Sequence, residues 1–225
     1  MRRFSPKSGL VRAVAMSPLA LTPLLIGLLA FRGGPPERPT DPAHAHPRIS
    51  DASFEEMEAR VASVERGLER LDAWYADEVA PVERVLRPFH PDEAWVRRIS
   101  IALAREGRAT GLDPRALASV LLVENPWLDP GAESSVGAVG LMQVMPIHAG
   151  NWGCGSADLA DPETNICHGA RIFAEYLRRY SDVDRALLAY NGCVRGTNTP
   201  DCYLYPSHVY SRAGRAAMRR WLDVD

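Results

Sequence analysis

Glu124 places a carboxyl group on the apolar face of a predicted helix. It lies four residues after Val120 and three after Leu121, so these side chains share one face. Pro126 follows, and the residue before a proline disfavours helical geometry, so we expect the helix to end here. Desolvation and the negative end of the helix dipole both raise the pKa of a carboxyl group. A carboxyl group that stays protonated near neutral pH can act as a general acid.

The alternative for Glu124 is a structural role at the rim of the core. In that case an arginine such as Arg98 or Arg105 would pair with the carboxylate. From this helix alone, both interpretations stay open.

A second group of candidate residues lies further along the chain. Within residues 131–146, Gly140 permits close approach of the backbone, and Gln143 is a lone amide among apolar side chains. This composition is typical of a loop that lines a ligand site, although methionine-rich stretches also occur in cores. Asn165 is predicted in the first turn of a later helix, and Tyr190 at the end of another.

The elements that position these residues are predicted to be helices. After Pro88 the hydrophobic periodicity is helical and no convincing alternating strand occurs, so we expect an all-α domain over residues 88–225. A domain of this length can form one core. Helix starts are predicted at Asp113–Pro114, at Asp161–Pro162, near Asp182 and near Pro206.

An apolar seam with alternating spacings of three and four precedes this domain, over residues 51–80. It predicts one long amphipathic helix that ends before Pro81. We expect this helix to dock on its own domain; the alternative is a membrane-proximal stalk that forms a homodimer through residues 53–79. The seam consists of Phe54, Met57, Val61, Val64, Leu68, Leu71 and Tyr75.

The N-terminus has the pattern of an export segment. Four basic residues precede an uncharged run over residues 13–31, so residues 1–32 are expected to form a signal anchor, or a signal peptide if they are cleaved. We favour the uncleaved anchor. Residues 33–50 are rich in proline and polar residues and are predicted to be a linker. The basic residues are Arg2, Arg3, Lys7 and Arg12.

The composition excludes several classes of function. The 225 residues are 46% hydrophobic and 24% charged with a net charge of −2, which indicates an ordinary domain with appendages. This near-neutral charge offers no basic face for nucleic acid, so we expect no nucleic-acid partner. Lys7 is the only lysine and precedes every segment that is predicted to fold, which excludes Schiff-base chemistry and a P-loop lysine.

Four cysteines lie in the last third of the chain, where export would oxidise them. Three connectivities are open, and pairing neighbours would close two short loops. A zinc site is the rival, but the sequence has neither a CxxC pair nor an HExxH motif, so we expect no metal. The cysteines are Cys154, Cys167, Cys193 and Cys202.

Together and in this order, these residues resemble the transglycosylase SLT domain of soluble lytic transglycosylases, a lysozyme-like fold related to goose-type lysozymes. The resemblance covers about residues 93–215. It rests on the helix ending in Glu124, on AESSVGAVGLMQVMP, on DPETNICHGARIFAEYL and on AYN at 189–191. The expected fold is therefore all-α: a lysozyme-like helical domain preceded by an N-terminal membrane segment and a long amphipathic helix.

The resemblance implies an enzyme that cleaves the β-1,4 bond between N-acetylmuramic acid and N-acetylglucosamine in peptidoglycan. Such an enzyme is a carbon–oxygen lyase that forms a 1,6-anhydro ring without water as the nucleophile. The resemblance implies that Glu124 is the sole general acid and base, and no cofactor is expected. The partner would be peptidoglycan strands in the cell envelope, on the periplasmic or extracytoplasmic face, with residues 13–31 anchoring the chain in the inner membrane.

The resemblance also implies roles for other residues. Ser134, Gln143 and Asn165 would hydrogen-bond sugar or position the acid. Met142 would line the groove, and Tyr190 would orient Glu124. The chain departs from the family pattern at Asn125, where many members have serine, and at Cys193, which follows Gly192 where small residues and proline are usual.

Two alternative functions are open at this point. A muramidase that admits water would need a second carboxylate, for which Asp129 and Glu133 are close enough in sequence, although we expect both to face solvent in a loop. A catalytically lapsed peptidoglycan-binding or scaffold module is the alternative from another class. A binding module has no need of an acid in an apolar environment, which favours the enzyme.

Overall fold

A computed structural model of the chain describes residues 50–193, 200–213, 217–218 and 221–222. Their regular structure is helical, which confirms the expected all-α fold for this part of the chain, consistent with a lysozyme-like helical domain. The only extended pairing among them is isolated, between Glu133 and Val139 and between Val139 and Val144. The helices are α1 (Asp51–Trp74), α2 (Ala80–Leu86), α3 (Glu93–Thr110), α4 (Pro114–Glu124), α5 (Pro162–Tyr180), α6 (Val183–Tyr190) and α7 (Tyr205–Ala213).

The predicted helix starts are confirmed, because local side chains cap them. Asp113 accepts a hydrogen bond from the Arg115 N–H at 2.8 Å, and Pro114 occupies the first turn of α4. Asp161 and Asp182 cap α5 and α6 in the same way. The helix expected near Pro206 is α7, which begins one residue earlier.

Helix α4 lies in the centre of the core. Every residue from Ala116 to Leu122 is buried, so this helix is apolar on all sides rather than on one stripe. It packs against α2, α3 and α7, while α5 packs between α3 and α6. Glu124 therefore ends the most enclosed helix of the fold.

The helix that was expected to end before Pro81 instead continues past it. A π-helical turn, Tyr75–Val79, joins α1 to α2, and Pro81 lies in the first turn of α2. Proline lacks an N–H, and its ring clashes with a carbonyl one turn earlier in an α-helix. The wider π turn makes room for the ring, so the chain passes Pro81 without leaving helical geometry.

The expected docking of the long helix on its domain is wrong for residues 54–71. Helix α1 has no buried residue, and its apolar seam is exposed, from 49% at Phe54 to 62% at Val64. Contact with the domain begins only at Trp74 and Tyr75, which are half-buried.

Hydrogen bonds fix the end of α1 to the domain. The Tyr75 hydroxyl donates to Oε1 of the buried Glu83 at 2.6 Å, and the Arg97 Nε donates to the same oxygen at 3.2 Å. The Trp74 Nε1 donates to Glu78 at 3.0 Å. The Trp74 bond ties the end of α1 to the π turn, and the Glu83 bonds tie that turn to α2 and α3, so the exposed helix extends from the domain in a set direction.

The cysteines pair with their neighbours in sequence. Cys154 bonds to Cys167, and Cys193 bonds to Cys202. Each disulfide closes a short loop, which restricts the unfolded chain. The first joins the loop before α5 to α5 itself, and the second leads directly into α7.

The predicted anchor and most of the predicted linker, residues 1–32 and 33–49, lie outside the described residues. Within the described part, no helix is both long and apolar enough to cross a bilayer.

Candidate functional site

The Glu124 carboxyl group accepts a hydrogen bond from the Tyr205 hydroxyl. Tyr205 is buried at the start of α7, which packs against α4. The expected structural alternative, an ion pair of Glu124 with arginine, does not occur among the described residues. Arg98 instead forms a bidentate ion pair with Glu163, with N···O distances of 2.6 and 2.7 Å.

Burial raises the pKa of Glu124 to about 7, from an ordinary value of 4.5. The Tyr205 hydrogen bond opposes this rise, because it stabilises the ionised carboxylate. Burial, followed by the charge of Glu124, raises the pKa of Tyr205 well above its ordinary value. Tyr205 therefore stays protonated and donates, while Glu124 is poised to gain or lose a proton near neutral pH.

Asn125 connects the end of α4 to the following loop. Its side chain is buried, and its Nδ2 donates to the carbonyl oxygens of Asp129 at 2.6 Å and Gly140 at 3.2 Å. Its Oδ1 accepts from the Asp129 N–H at 3.2 Å. Asn125 thus holds the loop against the helix that carries the acid.

Asn165 is fully buried, and its side chain holds the same loop from the other side. Its Oδ1 accepts from the Met142 N–H at 2.8 Å, and its Nδ2 donates to the carbonyls of Val139 and Leu159 at 2.8 and 2.9 Å. This placement contradicts direct hydrogen bonding of Asn165 to sugar, because no part of the side chain reaches the surface. It agrees with the other expected role, in which Asn165 positions the site.

Met142 and Tyr190 are joined by a hydrogen bond beneath the loop. Met142 is fully buried, so it does not line a groove. Its carbonyl accepts from the Tyr190 hydroxyl at 2.8 Å, and a Cβ at Gly169 would lie 2.6 Å from the Met142 Cβ. Tyr190 therefore supports the loop, and the hydroxyl that hydrogen-bonds to Glu124 belongs to Tyr205. Burial, followed by the charge of Glu124, raises the pKa of Tyr190 well above its ordinary value, so Tyr190 also lies close to the acid.

Ser134 and Gln143 are only partly buried, and both stabilise turns. The Ser134 hydroxyl accepts from the Ala138 N–H at 2.9 Å. Gln143 has a positive φ of 47°, and its Nε2 donates to the Gly140 and Ala132 carbonyls at 2.9 and 3.3 Å. These bonds use the amide nitrogen, and no described residue donates a hydrogen bond to the Gln143 Oε1.

An aromatic cavity of about 430 Å³ adjoins the chain that leaves α4. Trp127 is 78% exposed at its edge, and the Trp95 Nε1 donates to the Leu128 carbonyl at 2.9 Å. Trp127 follows Glu124 by three residues, so their Cα atoms are at most about 11 Å apart. The cavity is lined by His90, Asp92, Trp95, Trp127, Leu128, Asp129 and Pro130.

The sequence analysis missed both Tyr205 and Trp127. Tyr205 lies 81 residues after Glu124 and gives no local signal. Trp127 could have been found as a large aromatic residue directly after the helix of the acid. Asp129 and Glu133 are exposed, as expected. Within the described residues, no group of three potential ligands could hold a metal ion.

Part of this site lies in a region of the chain that is similar to known proteins. Residues 102–199 match the family model of the transglycosylase SLT domain. A stretch of 104 residues is 48% identical to a protein named Transglycosylase from Enterobacteria phage PRD1, covering 46% of this chain and 36% of that protein. The match thus spans about a third of the relative's length. The family region contains Glu124 and the loop but ends before Tyr205.

We predict that Glu124→Gln stabilises the fold at high pH but not at low pH. The pKa of Glu124 is raised on folding, from 4.5 to about 7, so ionisation disfavours the folded state increasingly as pH rises through this window. Glutamine removes this penalty, which reaches about 3 kcal/mol above pH 7. Chemical unfolding of both proteins at pH 4 and pH 8 measures the difference. The exposed Glu133→Gln is the control, and a Glu124→Gln effect that is equal at both pH values would refute the prediction.

Proposed function

We propose that this chain is a peptidoglycan lytic transglycosylase, because residues 102–199 match the family model of the transglycosylase SLT domain. The proposed reaction cleaves the β-1,4 bond between N-acetylmuramic acid and N-acetylglucosamine and forms 1,6-anhydro-N-acetylmuramic acid. Glu124 is proposed to act as both the acid and the base. The observation that carries this proposal is the half-buried Glu124 carboxyl group, which accepts a hydrogen bond from the buried Tyr205 hydroxyl and whose pKa burial raises to about 7.

The surroundings of Glu124 favour a mechanism with one carboxyl group. Glycosidases that use two carboxylates hold them about 5 to 9.5 Å apart, where each would affect the pKa of the other. Among the described residues, only burial and the Tyr205 hydroxyl are causes of the shifted pKa of Glu124. Asp129 and Glu133 are exposed, which disfavours either as the second carboxylate of a hydrolase.

The proposed chemistry moves one proton out of Glu124 and one back. The protonated carboxyl group first donates to the glycosidic oxygen, and the bond from that oxygen to C1 of the muramoyl sugar breaks. The acetamido group of the same sugar stabilises the positive charge that develops at C1. The Glu124 carboxylate then takes the proton of the C6 hydroxyl, whose oxygen forms the new bond to C1. Glu124 ends protonated, as it began.

Tyr205 suits both halves of this cycle. As a buried, neutral donor it can hold one carboxyl oxygen through a hydrogen bond in either protonation state. Its hydrogen bond also keeps the pKa of Glu124 from rising further, so that the carboxylate forms readily after the first proton transfer. We propose Tyr205 as a positioning residue.

The loop that follows α4 is proposed to contact the sugar chain. Ser134 and Gln143 are partly exposed, and the Gln143 Oε1 is available to a sugar hydroxyl or amide. Asn165, Met142 and Tyr190 are proposed to hold this loop in shape rather than to touch substrate.

The chain is proposed to act in the cell envelope, anchored to the inner membrane by residues 13–31. Peptidoglycan lies outside the cytoplasmic membrane, and the two disulfides require an oxidising compartment. We also propose that the exposed part of the predicted 53–79 helix, residues 54–71, pairs with a second copy of the chain.

We predict that the chain releases muropeptides with 1,6-anhydro ends from purified peptidoglycan. Mass spectrometry distinguishes these products, because each is one water lighter than a reducing product. Glu124→Gln should lower the release by at least about 10³-fold, whereas Asp129→Asn and Glu133→Gln should leave it unchanged. Reducing ends would indicate a muramidase. No release by the folded, oxidised protein would indicate a binding or scaffold module.

Replacing Tyr205 by phenylalanine should move the pH profile of kcat/KM. Loss of the hydroxyl removes the bond that lowers the pKa of Glu124, so the alkaline limb should shift upward by about one pH unit. Tyr203→Phe is the matched control, because Tyr203 is 61% exposed two residues earlier. An alkaline limb that stays in place, or moves to lower pH, would exclude Tyr205 as the partner that sets the pKa.

Trp127 is proposed to stack against a sugar ring near the cleavage point. Its indole is exposed, lies beside an aromatic cavity and is within three residues of Glu124. Trp127→Ala should raise KM for glycan strands about tenfold with little change in kcat, because a stacking contact acts on bound substrate and transition state alike. Ile147→Ala, at an equally exposed apolar residue, provides the control. An unchanged KM in Trp127→Ala would rule out the contact.

A further inference from the structure

The exposed seam of α1 has the spacing of a coiled coil. Its six apolar residues alternate between two heptad positions, conventionally a and d, which form the contact line of paired helices. About half or more of each side chain is exposed to solvent. The a positions are Phe54, Val61 and Leu68, and the d positions are Met57, Val64 and Leu71.

We propose that α1 pairs with α1 of a second copy of this chain in a parallel, in-register, two-stranded coiled coil. A contiguous apolar stripe of this kind on a soluble surface marks an interaction site. Two copies of one amphipathic helix bury the same stripe against each other, with each a and d residue facing its counterpart.

The charges that flank the seam distinguish the parallel order from the antiparallel order. One flank, position e, is entirely acidic, with Glu58, Glu65 and Asp72; the other, position g, carries Ser53, Arg60 and Gly67. In an antiparallel pair, e faces e, so the three acids would face one another and repel. In a parallel pair, e faces g of the partner, so the acids face serine, arginine and glycine.

The parallel order therefore creates an attraction between Arg60 and Glu65 of the other copy, twice by symmetry. Arg60 now contacts Glu56 of its own helix at 2.6 Å, where both side chains are highly exposed. An exposed pair of this kind contributes little, so it does not prevent Arg60 from turning to the partner.

The seam ends where the domain begins, which limits its length and sets its geometry. Tyr75 holds the next a position, but its hydroxyl is bonded to Glu83 of α2. The free seam spans residues 54–71, fewer than three heptads, so the pairing is weak unless both chains are already close. A parallel order places both N-termini at the same end, where anchoring in one membrane raises the effective concentration.

The pairing would give the enzyme two catalytic domains, a consequence that depends on the proposed function. Tyr75, which directly follows α1, bonds to Glu83 of α2, so the coil would hold both domains in a fixed relation. Peptidoglycan is a polymer with many equivalent bonds, and two linked domains would rebind it before either diffuses away.

Disulfide trapping of the full-length chain in detergent tests the proposal without reference to catalysis. All four native cysteines are already paired, so an introduced cysteine is the only free thiol. Met57→Cys places a thiol at a d position near one end of the seam, and Ala59→Cys places one on the outer face as the control. We expect Met57→Cys to form disulfide-linked dimers at least about tenfold faster than Ala59→Cys.

Two outcomes of this trapping would overturn the proposal. Equal rates for Met57→Cys and Ala59→Cys would indicate that α1 is unpaired or covered by another segment such as residues 13–31. Preferential cross-linking in a mixture of Met57→Cys and Leu68→Cys chains would indicate an antiparallel pair.

A charge reversal provides a second test that leaves the seam intact. Arg60→Glu should weaken the dimer about fivefold in sedimentation equilibrium, and the double change Arg60→Glu with Glu65→Arg should restore it. Arg66→Glu makes the same change of charge on the outer face and should have no effect. These residues are exposed on a helix without buried side chains, so folding is unaffected. Failure of the double variant to recover would refute the proposed register.

Discussion

The site depends on a carboxyl group that the folded chain withdraws from water. Glu124 ends a helix whose preceding residues, Ala116 to Leu122, are buried on every side, so its half-buried side chain lies at the edge of the core. Such burial disfavours the charged form and would normally be unfavourable for folding. Here burial raises the pKa of Glu124 to about 7. The burial that lowers the stability of the fold therefore also keeps the carboxyl group protonated near neutral pH, as a general acid requires.

Three helices and one disulfide shape the surroundings of Glu124. Helices α2, α3 and α7 cover α4, and α7 brings the Tyr205 hydroxyl to the carboxyl group. The disulfide between Cys193 and Cys202 precedes α7 and restricts the segment that leads into it. The enclosure of Glu124 is therefore tied to a helix that lies beyond the matched family region.

The loop beside Glu124 is stabilised from beneath by buried polar side chains. Backbone hydrogen bonds close the loop on itself, and the side chains of Asn125, Asn165 and Tyr190 pair with the Gly140 carbonyl, the Met142 N–H and the Met142 carbonyl. Loss of any of these side chains would leave a buried polar group unpaired. The loop is thus held in place from beneath, while Ser134 and Gln143 are partly exposed on its outer side.

The sequence predicts whatever depends on neighbours in the chain. Caps such as Asp113 and Asp161 and the apolar setting of Glu124 are local features, and they agree with the structure. The sequence leaves three disulfide connectivities open, and the structure pairs the neighbouring cysteines. The partner of Glu124 could not be predicted, because Tyr205 reaches it only through the packing of α7 on α4. Asn165 and Met142 carry the right residue types for a binding site, but their burial depends on how α5 packs against the loop. The seam of α1 predicts an interaction equally well with its own domain or with another chain, and periodicity does not distinguish these partners.

Direct titration of the Glu124 carboxyl group tests the central claim, which is that this group holds its proton near neutral pH. Carbon-13 labelling of glutamate in the full-length protein allows each carboxyl carbon to be followed by NMR as pH changes, and Glu124→Gln identifies the signal of interest. We predict that the signal missing in the variant titrates near pH 7 in the parent protein. A Glu124 signal that titrates near the ordinary value of 4.5 would contradict the account.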